Sequence, residues 1–401
     1  MLFYVFNNNY LCSLRDEYKY QKVEEQEAMQ NAEHLFFLVK LDENNSKKTY
    51  SISSVEDFFI EKEDLSVLCK QDLNTDRDFY ELLLNKKKIK AVNTSYKNYE
   101  ECFNIDTKKR YKINIFALGD VGSTLLMGLR LLGKSSIDEI GIYDINESVA
   151  NRWFYEINQI TDPFNYDDYP KVKIIDKNSL FDCDMFVFCA SLGIPAVGSD
   201  VKDVRMEQFK RNKELVKEYA VLAEQRQFKG IFAVVSDPVD PLCRVVYENS
   251  NLEPERIKGY GLGVMNARAL FYADMHKRFN QYKKHGRAFG PHGSDLIIAD
   301  NIENYEDTLS CELTDLVVNA NLEVRKFGFK PYVAPAMSSA AISIIYTLEH
   351  KWHYSSVYIG GVYFGCKNRL TPYGVEIERI NMPAKLYERL LVSYQRLKHI
   401  K

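Results

Sequence analysis

The stretch Ile113-Asn-Ile-Phe-Ala-Leu118 and the turn that directly follows it, Gly119-Asp-Val-Gly122, decide the fold. The apolar run predicts a buried strand, and the apolar spacing over 125–132 predicts a helix that ends before Gly133. The turn therefore joins a strand to a helix. Free N–H groups at a helix start bind phosphate, and glycines let the phosphate come close to them. The residues expected to bind a phosphate-bearing ligand are Gly119, Asp120, Val121 and Gly122.

A carboxylate follows this glycine turn (residues 119–122) where a dinucleotide-binding unit needs one. The next predicted strand, 140–144, ends at Asp144, 22 residues after Gly122. An acid at this place binds the ribose hydroxyls of NAD and disfavours the 2′-phosphate of NADP. The usual fingerprint has a third glycine, whose place Ala117 takes here. An ordinary strand–helix unit with Asp144 as a helix cap is the alternative, but the two features together favour NAD(H).

Alternating strands and helices continue beyond the turn. Buried strands separated by helices predict an α/β fold, with a Rossmann-type, doubly wound parallel sheet over 111–260. The predicted strands are 113–118, 140–144, 172–175, 185–189 and 231–236, and the predicted helices are 125–132, 149–159 and 206–225.

The first 110 residues differ in composition, because they contain no glycine and no proline. Short β-like runs and two helical patterns predict a small α+β N-terminal module that ends in a polar linker, 86–110. We expect the module to fold separately and to recruit a substrate or bind a protein or peptide partner. Its lysines are either an ordinary solvated surface or a docking patch. The predicted strands are 2–6, 35–41 and 49–53, and the helices are 54–60, capped by Ser54, and 76–84, capped by Thr75.

Composition excludes several classes of protein. Of the 401 residues, 46% are hydrophobic and 27% are charged, which is typical of a globular protein and not of a disordered chain or a fibre. The net charge of −3 argues against nucleic acid as the main partner. No apolar run reaches the roughly 20 residues of a membrane span. The eight cysteines show no C-x-x-C spacing, so we expect reduced thiols, a cytoplasmic location and no metal site.

Further motifs follow in a fixed order, and together with the glycine turn they resemble the lactate/malate dehydrogenase family over about residues 111–401. The resemblance implies an NAD-binding Rossmann domain over 111–260, an α+β substrate domain over 261–401, and a homo-oligomer. The motifs are Arg205-Met-Glu-Gln-Phe-Lys-Arg-Asn212, Ser236-Asp-Pro-Val-Asp-Pro-Leu242, Arg256-Ile-Lys-Gly-Tyr-Gly261 followed by Asn266-Ala-Arg268, and Phe289-Gly-Pro-His-Gly-Ser294.

The resemblance also assigns roles to single residues. His292 matches the acid/base histidine that protonates the substrate carbonyl during reduction. Arg268 matches the arginine that binds the substrate carboxylate through two parallel hydrogen bonds. Arg205 matches the arginine of the mobile loop that polarises the carbonyl. The positions that match the cofactor-lining residues of the family are Ala190, Asn212 and Ser236.

Three departures from the family pattern concern the chemistry. The aspartate that usually pairs with the histidine is Met265 here, and a thioether cannot stabilise an imidazolium. The usual asparagine before the proline is Asp237, and Pro291 replaces an acid before His292. We therefore expect less of His292 to be protonated at neutral pH, unless the charge of Asp237 reaches it. Simple lactate or malate turnover is not expected.

The segment between Ala190 and Arg205 is longer than usual in the family and contains no arginine. A second carboxylate on the substrate would therefore lack a partner, and Ile194, Pro195 and Val197 favour a larger, more apolar substrate. The alternative is a loop that only packs on a neighbouring subunit.

Two classes of function remain open. The first is an NAD(H)-dependent oxidoreductase with a non-standard active site, acting on a 2-oxo or 2-hydroxy acid or an imine that is bulkier than lactate or malate, possibly carrier- or peptide-linked. The second is an inactive dinucleotide-binding scaffold or sensor in a larger complex. A nicotinamide-assisted glycosidase is disfavoured, because it needs a metal site that the sequence does not offer.

Overall fold

The structure, a computed structural model, describes residues 1–192, 204–293 and 295–400, and only the backbone of 204–207. The first 110 residues form a six-stranded sheet in the order β3-β1-β2-β4-β6-β5. Two helices, α1 (Glu25–Asn31) and α2 (Arg77–Lys86), belong to it. Its strands are β1 (Leu2–Phe6), β2 (Asn9–Ser13), β3 (Gln21–Val23), β4 (His34–Val39), β5 (Thr49–Ile52) and β6 (Lys88–Asn93).

The strands predicted for this module are confirmed, but its helices differ in detail. The helix predicted over 54–60 is a 3-10 helix, Val55–Phe59, with Ser54 as its N-cap residue, and the Asp57 side chain accepts the Ser54 backbone N–H at 2.9 Å. The cap of α2 is Asp76, whose side chain accepts the Phe79 N–H, and not Thr75. Both residue types cap helices well, so the sequence alone could not separate neighbouring candidates.

The predicted linker 86–110 is wrong, because β6 lies inside it. This strand pairs with β4 on one side and β5 on the other, and its Ile89, Ala91 and Val92 are buried. Four lysines between 86 and 90 concealed the strand. A lysine can bury its aliphatic stem within a sheet, as Lys90 does at 9% exposure.

The second sheet begins with six parallel strands in the order β9-β8-β7-β10-β11-β12, which is the order of a doubly wound dinucleotide-binding fold. The predicted fold class is therefore confirmed. The strands are β7 (Tyr111–Phe116), β8 (Ile137–Tyr143), β9 (Lys171–Ile174), β10 (Met185–Phe188), β11 (Ile231–Val234) and β12 (Ile257–Gly259), and the helices between them are α3 (Asp120–Leu132), α4 (Glu147–Asn158), α5 (Val204–Gln225) and α6 (Val239–Glu248).

The rest of the chain extends this sheet with three antiparallel strands and adds helices around a small hairpin. A π-helical segment, Pro335–Ala341, packs on α3 and contributes Ala340 and Ala341 to the core. The elements are α7 (Leu262–Met275), α8 (Tyr282–His285), β13 (Arg287–Phe289), β14 (Ile297–Ala299), α9 (Asp307–Lys326), α10 (Ile342–Leu348), β15 (His353–Ile359), β16 (Val362–Thr371), β17 (Gly374–Ile377) and α11 (Ala384–His399). No helix among the described residues is long and apolar enough to cross a membrane.

The N-terminal module shares a hydrophobic core with the C-terminal strands. Leu65, Val67 and Leu68 pack in one cluster with residues of β15, β16 and α11. Glu255, just before β12, is buried, and its carboxylate accepts the backbone N–H groups of Lys48 and Thr49. This packing argues against the separate folding predicted for residues 1–110.

Candidate active site

The glycine turn fits a pyrophosphate. Gly119 precedes α3 without a capping side chain, and a Cβ built on it would meet nothing within 4 Å. A Cβ at Gly122 would lie 1.9 Å from the carbonyl oxygen of Ala117, so only glycine fits there. The first N–H groups of α3 thus stay open toward the space where a phosphate would lie.

Ala117 takes the first position of the fingerprint with φ at 73°, in the left-handed region. A side chain in this region costs roughly 1 kcal/mol. We expect Ala117→Gly to stabilise the fold by about 0.5 kcal/mol, since the more flexible unfolded chain offsets part of the gain. Gly122→Ala should instead destabilise it by more than about 1 kcal/mol. Urea unfolding of both variants tests this, and a destabilised Ala117→Gly would contradict it.

Asp144 lies at the end of β8, beside the turn. Its Oδ2 accepts the Leu118 N–H at 2.8 Å and its Oδ1 accepts the Asn146 N–H at 2.9 Å. These bonds fix the carboxylate where it can receive ribose hydroxyls. The sequence did not indicate that Lys330 lies here too, with its Nζ 3.1 Å from Asp120 Oδ2. Lys330 thereby offsets the negative charge of Asp120 next to the glycine turn.

His292 lies between β13 and β14, and two acids from the Ser236–Leu242 motif contact it. Its backbone N–H donates to Asp240 Oδ2 at 3.1 Å, and its Nδ1 lies 3.2 Å from Asp237 Oδ1. His292 Nδ1 forms no hydrogen bond with a described residue, so its contact with Asp237 is electrostatic. The His292 side chain is 15% exposed and that of Asp237 is 49% exposed. An acid therefore does reach the imidazole, although Met265 does not supply it.

Asp240 and Gly261 are positioning residues that sequence reasoning missed. Asp240 is buried in the first turn of α6 and also accepts the Ser356 hydroxyl. Burial raises the pKa of Asp240 to about 6, against the lowering effect of these hydrogen bonds. A Cβ at Gly261 would lie 2.8 Å from the Cβ of His292, so glycine lets the imidazole lie against the backbone. Both residues were within quoted motifs, but only the contacts reveal their roles.

Arg268 and Met265 lie one turn apart on α7. The Arg268 Nη1 donates to the Val317 carbonyl at 3.3 Å and contacts the Met265 sulfur at 3.6 Å. Burial lowers the pKa of Arg268, with Tyr272 and Asp237 acting in the opposite direction. In the described chain no carboxylate oxygen lies within 4 Å of its guanidinium. A partly buried guanidinium without an acid is suited to bind an anionic ligand.

The three residues matched to the cofactor-lining positions hold the ends of neighbouring loops together. The fully buried Asn212 donates to the Asp237 carbonyl at 2.7 Å and accepts the Leu192 N–H at 3.0 Å. Ser236 donates to the Ala190 carbonyl at 2.6 Å. These bonds set the position of Asp237, and a direct contact of these residues with the cofactor stays a prediction.

The substrate-loop residues Ile194, Pro195 and Val197 lie outside the described residues. Arg205 lies in the first turn of α5, but its side chain is not described. The apolar substrate loop and the carbonyl-polarising arginine therefore stay predictions.

Known proteins match part of this chain. Residues 111–259 match the family model described as lactate/malate dehydrogenase, NAD binding domain. An L-lactate dehydrogenase of Staphylococcus haemolyticus is 26% identical over 245 residues, which is 59% of this chain and 73% of the relative. An L-lactate dehydrogenase of Clostridium perfringens is 28% identical over 254 residues, with 59% and 76% covered.

Solved structures extend the likeness in fold. A lactate dehydrogenase from a Medee basin deep-sea metagenome library, 21% identical, covers 72% of this chain and 97% of its own at a TM-score of 0.59. The malate dehydrogenase of Archaeoglobus fulgidus in complex with NADH, also 21% identical, gives the same coverage and a TM-score of 0.58. The family model confirms the predicted resemblance over residues 111–259, and it confirms NAD(H) as the cofactor because it describes an NAD binding domain. Residues 111–259 are therefore similar to the NAD-binding domain of lactate/malate dehydrogenases.

Proposed function

We propose that the protein is an NAD(H)-dependent oxidoreductase that reduces a C=O or C=N bond next to a carboxylate. The observation that carries this function is the 3.2 Å contact between His292 Nδ1 and Asp237 Oδ1. An imidazole beside a carboxylate is a suitable general acid, because the carboxylate stabilises the imidazolium that must donate the proton. An acid–imidazole pair is thus retained although its usual aspartate is Met265.

NAD(H) supplies the hydride when it is bound. The residues of this chain supply orientation and the proton. Arg268 binds the substrate carboxylate with its planar fork of donors. His292 then donates a proton to the carbonyl oxygen or the imine nitrogen, and Asp237 stabilises the protonated imidazole before this transfer. In the reverse direction, His292 takes the proton back from the hydroxyl or the amine.

The charge of Asp237 bears on the choice of substrate. A half-exposed carboxylate beside the reacting carbon attracts a protonated imine and repels an alkoxide. This favours an imine over a simple ketone. A bulky or carrier-linked substrate is favoured only by the apolar sequence of 194–197. Homo-oligomerisation, a cytoplasmic location and a partner for the N-terminal module also remain predictions.

The test is NADH oxidation, followed by absorbance, with a panel of 2-oxo acids offered alone and together with ammonia or methylamine. We expect turnover with at least one bulky 2-oxo acid, and faster turnover when the amine is present. Protein that binds NADH but turns over no member of the panel would favour the inactive scaffold. Turnover that amines do not change would exclude the preference for imines.

The cofactor choice follows from Asp144. A 2′-phosphate beside this carboxylate would be repelled, so NADH should bind at least about tenfold more tightly than NADPH. Asp144→Ser should reduce this preference, because it removes the charge but keeps a hydroxyl. Fluorescence titration with both cofactors measures it, and Asp72→Ser, outside the NAD-binding domain, is the control. Tighter NADPH binding by the unaltered protein would contradict the assignment.

A further inference from the structure

A cavity of about 400 Å³ lies where the N-terminal module, the NAD-binding domain and the C-terminal strands meet. Tyr111 and Ile231, the first residues of β7 and β11, line it. The glycine turn follows the other end of β7. A strand of this length spans about 15–20 Å, so the cavity is separate from the dinucleotide site.

The cavity wall carries four cationic side chains and three acids. Lys90 is 9% exposed and its ammonium donates to the carbonyl of Asn104 at 2.9 Å, and Arg226 donates to a neutral amide. Over the ranges that the structure describes, no carboxylate oxygen lies within 4 Å of any charged nitrogen of these cations. The cations of the wall are Lys90, Arg226, Lys229 and Arg256.

The acids of the wall are engaged elsewhere. Both oxygens of Glu255 accept backbone N–H groups of the module. Asp184 forms an ion pair with Lys108 at 2.6 Å, and Asp106 accepts a backbone N–H. The carboxylates therefore do not neutralise the cations by direct contact.

The positive charge of Arg256 acts on Lys90. Burial lowers the pKa of Lys90, and the positive charge of Arg256 lowers it further, against the opposing effects of Cys102, Glu255 and Asp106. An anion placed between Lys90 and Arg256 would remove their repulsion and gain two charge-assisted contacts.

We infer that this cavity is a binding site for a small anionic molecule of phosphate or carboxylate type. The volume is within the usual range of small-molecule pockets. The four cations of the wall favour an anionic ligand over a neutral one. The site does not depend on the function proposed above, because it uses none of the same residues.

Isothermal titration calorimetry of the full chain tests the site, with NADH at saturation to occupy the glycine turn. Pyrophosphate and malonate are titrated separately at constant ionic strength. The probe that binds with the higher affinity identifies phosphate or carboxylate as the preferred group. We expect saturable binding that Lys90→Met and Arg256→Gln each weaken at least about tenfold. Lys19→Met, an exposed module lysine outside the cavity wall, should leave it unchanged.

Two results would overturn the inference. One is the absence of saturable binding for both probes up to millimolar concentration. The other is equal affinity in the unaltered protein and both cavity variants, which would place the anions at another site. If Lys90→Met does not fold, Arg256→Gln decides alone, because Arg256 is exposed and its replacement leaves the core intact.

Discussion

Turnover should fall by about 100-fold or more when His292 is replaced by alanine, the usual scale for losing a general acid. Asp237→Asn should have a different signature. The carboxylate lies 3.2 Å from His292 Nδ1, so its removal should lower turnover without removing the proton donor itself. The loss should therefore be smaller than that in His292→Ala. NADH oxidation with the best substrate of the panel measures both losses.

A double variant separates this role from general damage. Met265→Asp returns an acid to the position that the resemblance assigns to it, and Asp237→Asn removes the one present. The double variant should recover part of the turnover lost in Asp237→Asn. Thermal unfolding of each variant controls for loss of structure. Near-normal turnover of His292→Ala, or turnover that Asp237→Asn leaves unchanged, would show that the pair is not the proton donor.

The sequence predicted five of the six parallel strands, because runs such as Met185–Phe188 and Ile231–Val234 are wholly apolar, and it missed the three-residue strand β12. The β7–α3 turn was predicted too, since its glycines and the later Asp144 can be read directly. The contact between Asp237 and His292 could not be predicted. It joins the loop after β11 to the loop after β13, and no local pattern fixes the distance between two loops 55 residues apart.

The N-terminal module shows a second limit of local patterns. Its lysines suggested a solvated linker, whereas Lys90 lies in a strand and Lys47 lies in a buried ion pair. Burial of a lysine depends on a partner that the local sequence does not reveal. For Lys47 the partner is Glu63, and the carbonyl of Tyr358, more than 300 residues away, accepts a second hydrogen bond at 3.0 Å.

The buried ion pair between Lys47 and Glu63 gives the second large expected effect, a loss of folding stability. Lys47 and Glu63 have side-chain exposures of 4% and 3%, so removing one charge leaves the other buried without compensation. Glu63→Gln should therefore destabilise the protein by about 3–5 kcal/mol. Replacing both residues with methionine should cost less, since no charge then stays buried. The matched control is Asp16→Asn in the exposed pair with Lys22, which should cost less than about 1 kcal/mol.

The readout of this experiment also tests whether the module is integral to the fold. Both tryptophans, Trp153 and Trp352, lie outside residues 1–110, so their fluorescence reports on the rest of the chain. Because Lys47 also binds Tyr358 of β15, the loss of Glu63 should shift the urea transition seen by tryptophan. A module that folded separately would unfold without moving this transition. An unchanged tryptophan midpoint in Glu63→Gln, with an early loss of secondary structure by circular dichroism, would therefore restore the separate folding that the composition suggested.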